Sequence, residues 1–181
     1  MRIDFPYYTD IPPFEVPDGN LIGVYEAPTI EPAASEAETI LRAFADPIGY
    51  PAVHEAAAGA ESALILTDDY TRNTPVRGIL RVLLGELEAA GIPHENITIL
   101  VALGTHRPMT DAEMLAMFGP DIPRLYEVVN HDWRDEDRLA DYGETESGIP
   151  IRVNSLVDEN EYIFGIGQIV PHRIAGFSGG G

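Results

Sequence analysis

The sequence predicts an α/β fold, a Rossmann-like three-layer domain with a mainly parallel sheet. Three observations carry this. Ala63 to Thr67 (ALILT) and Ile97 to Leu103 (ITILVAL) are short, nearly unbroken apolar runs, as expected of strands covered on both faces. Each run passes through a polar loop into a segment with helix-start signals and helical periodicity. Strand and helix then keep alternating, the pattern of a parallel sheet with helices on both faces.

The elements follow in order. Phe5 to Pro17 is rich in proline and reads as an extended lead-in, and Leu21 to Tyr25 as a strand. Ser35 and Glu38 form an S-x-x-E capping box for a helix through Ala45, ended by Asp46-Pro47 and Gly49. Ala52 to Ala58 reads as a short helix closed by Gly59. After the strand at Ala63 to Thr67, Thr74 is an N-cap residue and Pro75 suits a first helical position, where no amide donor is needed. The helix to Ala90 carries Leu80, Leu83, Leu84 and Leu87 on one face, and Gly91 ends it. Ile97 to Leu103 leads into GTHRPMT, and Thr110 with Glu113 opens a second capped helix from about Asp111 to Phe118. Leu125 to Asn130 reads as a third strand, Gly143 to Gly148 as a turn, and Ile151 to Asn154 and Tyr162 to Ile166 as two further short strands.

Composition narrows the function. At 181 residues and 45 % hydrophobic, the chain is long enough for one domain with a real core. A formal charge of -19 argues against nucleic acid as a partner and is read as serving solubility. No run approaches the ~20 apolar residues that span a bilayer, and the N-terminus lacks the apolar core of a signal peptide. The expected location is the cytoplasm, away from membranes. There is no cysteine, so no disulfide or thiolate metal site. The 11 basic residues are all arginine, which excludes a lysine Schiff base within these residues.

The chemistry-bearing residues sit at strand ends, where open α/β sheets bind ligands. In Asp68-Asp69-Tyr70-Thr71-Arg72, Arg72 can hold a substrate carboxylate by a bidentate pair and Asp69 can accept from ribose hydroxyls; equally, an Asp-Arg pair can simply trim a helix entrance. His106, after the next strand, is either a general acid/base or a loop histidine bonded to backbone. Arg107 beside it is either a second anion contact or a surface pair. His172, before a glycine-rich ending, could supply a second base, and two bases on opposite faces of one carbon deprotonate either enantiomer. His131-Asp132-Trp133 is read as orienting a loop, and His54 and His94 as surface residues.

Taken together, DDYTRNTP, ALGTHRPMT, NHD and PHRIAGFSGGG, with FPY near the start and DPIG at Asp46 to Gly49, resemble the amino-terminal domain of the nickel-dependent lactate racemase family over essentially the whole chain. The resemblance implies a racemase or epimerase of a 2-hydroxy acid, lactate or a related hydroxy or sugar acid. It also implies a nickel pincer nucleotide (nickel pyridinium-3,5-bisthiocarboxylic acid mononucleotide), tethered through a lysine thioamide, that takes the C2 hydrogen as hydride and returns it. By carry-over, His106 and His172 are the general acid/base pair and Arg72 grips the substrate carboxylate. Asp69 and Thr71 contact the nucleotide's ribose or phosphate, and Gly176, Ser178, Gly179 and Gly180 form the loop near the phosphate. No nickel ligand is expected in this chain.

Two departures bear on this. Asn73 stands where the family often has proline. The family's tethering lysine directly follows the Ser-Gly-Gly segment, whereas this sequence stops at Gly181. The expectation is an amino-terminal catalytic domain, truncated before its carboxy-terminal domain, inactive alone, lacking the cofactor, and open to homo-oligomerisation through exposed apolar surface. The alternative is a non-catalytic nucleotide or organic-acid binding module. A nicotinamide-dependent dehydrogenase is disfavoured because no G-x-G-x-x-G follows the first strand-helix unit.

Overall fold

The structure is a computed structural model that describes residues 1–4, 11–25, 30–31 and 34–179. The FPY segment, part of the lead-in and Gly180 lie outside the described residues. The chain divides into two units, Met1–Ala33 and Ala34–Gly181.

In the first unit, β1 (Arg2–Ile3) pairs antiparallel with β2 (Phe14–Glu15). The terminal ammonium group closes this small unit by donating to Val16 O at 2.6 Å and to Asp18 Oδ1 at 2.8 Å. The strand expected at Leu21 to Tyr25 does not form. A strand needs a ladder partner, β1 is occupied by β2, and Ile22 is left 98 % exposed.

The second unit is the α/β domain. Its elements are α1 (Glu36–Ala45), α2 (Val53–Ala56), β3 (Ala63–Thr67), α3 (Val76–Ala89), β4 (Ile97–Val101), α4 (Asp111–Phe118), α5 (Ile122–Leu125), β5 (Glu127–Asn130), β6 (Leu139–Glu144), β7 (Pro150–Asn154), α6 (Leu156–Glu159), β8 (Tyr162–Ile166), β9 (Pro171–His172) and β10 (Gly176–Phe177). The central sheet has the order β5-β4-β3-β8, every neighbour parallel. β6 with β7, and β9 with β10, form separate antiparallel hairpins.

The two sheet faces are covered unequally. Ala63 and Ile65 point to the face covered by α3, whose Leu80, Leu83, Leu84 and Leu87 are all buried. Leu64 and Leu100 point to the other face, where α6 supplies Leu156 and Val157. Both capping boxes form: Ser35 with Glu38 starts α1, and Thr110 with Glu113 starts α4. Gly91, at φ +99°, ends α3 by letting Ile92 N–H reach Leu87 O at 3.1 Å while its own N–H reaches Glu88 O at 3.0 Å.

Of the boundaries that differ from the sequence reading, four have a clear local cause. Thr74 does not cap α3. Pro75 is the cap, its carbonyl accepting from Ile79 N–H at 3.1 Å, while the Thr74 hydroxyl turns back to Asp68 Oδ2 at 2.5 Å. β4 stops at Val101 because Leu103 N–H folds onto Val101 O at 2.9 Å, which tucks Leu103 into the core. Leu125 is helical: Pro123 suits a first turn, and Leu125 N–H and Tyr126 N–H donate to Asp121 O and Ile122 O. The turn at Gly143 to Gly148 joins a hairpin whose first strand, β6, is two-thirds exposed and carries no core periodicity to betray it.

Candidate functional site

β3 and β4 lie side by side and parallel, so the loops that follow them leave the same carboxyl edge. The β3–α3 loop carries Asp69, Thr71 and Arg72; the β4–α4 loop carries His106 and Arg107. The loops meet at Asp69. Its carboxylate is 4 % exposed. Oδ1 accepts from Thr71 N–H at 2.9 Å and from the Thr71 hydroxyl at 2.5 Å. Oδ2 lies 2.5 Å from His106 Nδ1. Burial pushes the Asp69 carboxyl up, but the donors from Thr71 and His106 outweigh it and hold the group below the ordinary aspartate range. An ionised Asp69 can only accept, so His106 donates from Nδ1–H, and the neutral ring carries its lone pair on Nε2.

His106 and Arg72 line one cavity of about 260 Å³ with Asp68, Asp69 and residues Ala102 to Thr105. Arg72 pairs with no carboxylate among the described residues; its Nη1 donates to the Thr71 hydroxyl at 3.2 Å. In a chain so acidic, an unpaired guanidinium beside an imidazole is suited to holding an anion next to a base.

Arg107 is engaged elsewhere. It makes a bidentate pair with Glu113, at 2.9 and 2.6 Å, and its guanidinium lies 4.5 Å from the ring centroid of Tyr70. It therefore clamps the His106 loop to both α4 and the β3–α3 loop. Hydrogen bonds from Arg107 and from Thr110 N–H hold the Glu113 carboxyl down to about 2. The surface-pair reading of Arg107 is the observed one. Tyr70 went unassigned in the sequence because its contact bridges residues 37 positions apart.

A second cavity, about 540 Å³, adjoins the first through Asp68 and Ala102 and runs across the ends of β3 and β8. Its walls include Leu66, Thr67, Gly165, Gly167, Ile169 and Gly179. The Thr67 hydroxyl is buried without a hydrogen-bond partner. A Cβ on Gly179 would lie 2.9 Å from Gln168 O, so the chain approaches itself there more closely than any side chain allows.

β8 is parallel to β3, so the segment leading to β9 also leaves the carboxyl edge. His172 sits in the β9–β10 hairpin, where its Nδ1 accepts from Ile174 N–H at 3.3 Å and Ala175 N–H at 3.1 Å. Its neutral ring carries the proton on Nε2, the reverse of His106. Gly176 pairs with His172 across that hairpin, and the Ser178 hydroxyl donates to Val170 O at 3.4 Å. Thus Asp69, Thr71, Arg72 and His106 form one cluster. Among the described residues, no hydrogen bond or ion pair joins His172, Gly176 or Ser178 to it, and His172 lines neither cavity. Elsewhere, His131 Nδ1 meets Asn154 Nδ2 at 3.2 Å and His54 pairs with Glu86. No three His, Cys, Asp or Glu among the described residues come together as metal ligands, and no helix is long and apolar enough to cross a membrane.

Comparison with known proteins agrees with this architecture. A family model described as the lactate racemase N-terminal domain matches residues 7–181. The chain is 34 % identical to the lactate racemase of Thermoanaerobacterium thermosaccharolyticum over 181 residues, covering 99 % of this chain and 42 % of that protein. It is also 34 % identical to the lactate racemase of Lactiplantibacillus plantarum, covering 99 % of this chain and 43 % of that protein. The structure of the Thermoanaerobacterium lactate racemase apoprotein superposes with a TM-score of 0.81, over 99 % of this chain and 42 % of that one. A Thermotoga maritima protein, 26 % identical, superposes at 0.66 over 84 % of this chain and 38 % of its own. The chain thus spans about two-fifths of the length of these relatives.

Proposed function

The chain belongs to the lactate racemase N-terminal domain family, and from that premise we propose that it is the amino-terminal catalytic domain of a racemase or epimerase acting on a 2-hydroxy acid, lactate or a related hydroxy or sugar acid. The observation that carries this reading is the single cavity in which an unpaired Arg72 stands beside a histidine held by a buried carboxylate. A 2-hydroxy acid presents a carboxylate and, one carbon away, a hydroxyl. The guanidinium suits the first and a basic Nε2 the second.

In this reading Arg72 orients the substrate by its carboxylate. His106 accepts the hydroxyl proton at Nε2 while its Nδ1–H stays on Asp69, which stabilises the imidazolium that forms, and the same Nε2 returns the proton when the hydroxyl is restored. His172 is the second acid/base group, serving the opposite enantiomer. To act as a base at Nε2 it must first move its proton to Nδ1, which means releasing the two backbone amides that Nδ1 now accepts.

The family's nickel pincer nucleotide would supply a reversible acceptor for the C2 hydrogen. The residues present fit such a group. The adjoining cavity lies within the ~300–1,000 Å³ usual for small-molecule sites. Its glycine walls leave room for a flat ring, and the buried Thr67 hydroxyl still lacks a partner. Thr71 and the segment Gly176, Ser178, Gly179 and Gly180 are proposed to face the ribose or phosphate. The metal would be held by the nucleotide's sulfur arms and by a carboxy-terminal domain of the family, which would also complete the substrate pocket. We place the protein in the cytoplasm. The chain contains no lysine, so a tether must lie outside these residues; if there is none, the chain is a binding module for a nucleotide or an organic acid.

The test is the intact mass of the natural-length protein, co-produced with the cofactor-making enzymes and nickel. A lysine-dependent increment matching the pincer nucleotide supports the racemase reading. An unmodified mass, with a loaded control protein, favours the binding module.

A further inference from the structure

We propose that Asp68, not Asp69, is the carboxylate that receives the ribose diol of a pyridinium mononucleotide, in the cavity between the ends of β3 and β8. The inference rests on the nucleotide reading above but assigns a residue which that reading left idle. The two neighbouring carboxylates face different tasks. Asp69 is 4 % exposed, with donors already on both oxygens. Asp68 lines both cavities, and among the described residues its carboxylate takes one hydrogen bond, from the neutral Thr74 hydroxyl to Oδ2. Among the described residues no cation pairs with it. The Thr74 bond fixes the carboxylate's direction and leaves Oδ1 free to accept.

The surroundings suit a sugar. A Cβ built on Gly167 would stand 3.9 Å from Asp68 Oδ1 and 4.0 Å from Oδ2, so the glycine lies directly beside the carboxylate and leaves the space next to it open. Leu66, Ile166 and Ile169 supply apolar walls for the faces of the sugar and ring, and Thr67 lines the same cavity. A carboxylate that lacks a cation and faces small apolar walls matches a vicinal diol, which offers two O–H donors to one acceptor group; acidic residues recognise ribose in this way in other open α/β sheets.

The experiment is an amide-detected NMR titration of the 181-residue chain with nicotinamide mononucleotide and with its 2′-deoxy counterpart. Saturable shifts are expected at Asp68, Gly165 and Gly167 with the ribonucleotide, and roughly tenfold weaker binding with the deoxy compound, the scale of losing a charge-assisted hydrogen bond. Asp68→Asn, which keeps an acceptor for Thr74, should weaken the ribonucleotide about tenfold, and by more than Asp69→Asn does. Gly167→Ala is a second probe: its methyl meets nothing closer than 3.9 Å, so the fold tolerates it, yet it narrows the approach to Oδ1. Weakening by Asp69→Asn but not by Asp68→Asn or Gly167→Ala would overturn the assignment. So would equal affinity for the two nucleotides, or no binding by the wild-type chain. The racemase reading is decided separately by the mass measurement, so the two can fail independently.

Discussion

His106 Nδ1 lies 2.5 Å from Asp69 Oδ2 where the loops after two adjacent parallel strands meet. The contact joins residues 37 apart in sequence, and it fixes which imidazole nitrogen is basic. Asp69 is a positioning residue in this arrangement. In natural-length, cofactor-loaded enzyme, Asp69→Asn should lower kcat by about a hundredfold or more, the scale of a general base, with KM for the hydroxy acid little changed. Imidazole nitrogen NMR should find the Nδ1–H form in the wild-type chain and a mixture of tautomers in the variant. An unchanged tautomer would remove Asp69 from this role.

The same NMR experiment should report the opposite form, Nε2–H, for His172, because two backbone amides point at its Nδ1. Replacing Ala175 by proline deletes one of those donors. The expected outcome is a partial shift of His172 toward Nδ1–H with His106 unaffected.

Acid should loosen the clamp on the His106 loop. Glu113 is held down to about 2 by Arg107 and Thr110. A carboxyl depressed in the folded state contributes stability above its unfolded value, ordinarily about 4.3, and loses it as pH falls through the folded value. Wild type should therefore lose stability relative to Glu113→Gln between about pH 4.5 and 2, and the gap should be constant near neutrality. Thermal melts of both proteins across that range check it; parallel pH profiles would count against the clamp.

The sheet face under α3 should dominate stability. Leu83 is fully buried between α3 and the sheet. Leu83→Ala should cost about 2–5 kcal/mol, measured by denaturant unfolding. Thr110→Ala, which removes a cap hydroxyl from α4, should cost about 1 kcal/mol.

Much of this was legible in the sequence, for physical reasons that can be named. β3 and β8 matched their predicted spans because a short apolar run between polar residues has few other solutions. Both capping boxes formed because their bonds span only three residues. Thr74 misled because a threonine before a proline is a sound cap locally, and Asp68, six residues away, competes for its hydroxyl. β6 was missed because an exposed strand need not alternate apolar and polar residues. At the site, Asp69, Arg72 and His106 could be placed at strand ends from order alone. That Asp69 faces His106 while Asp68 faces the neighbouring cavity could not, since side-chain direction at a strand end depends on the loop that follows.

The most direct test of the central claim is the chiral analysis of L-lactate, and of other 2-hydroxy acids, after incubation with natural-length protein loaded with the nickel nucleotide. The account predicts that the opposite enantiomer or epimer accumulates from at least one of these acids with wild-type protein, and that none forms with His106→Ala, whose circular dichroism and melting should remain those of a folded domain. Undiminished conversion by His106→Ala, or no conversion of any 2-hydroxy acid by fully loaded wild type, would contradict it.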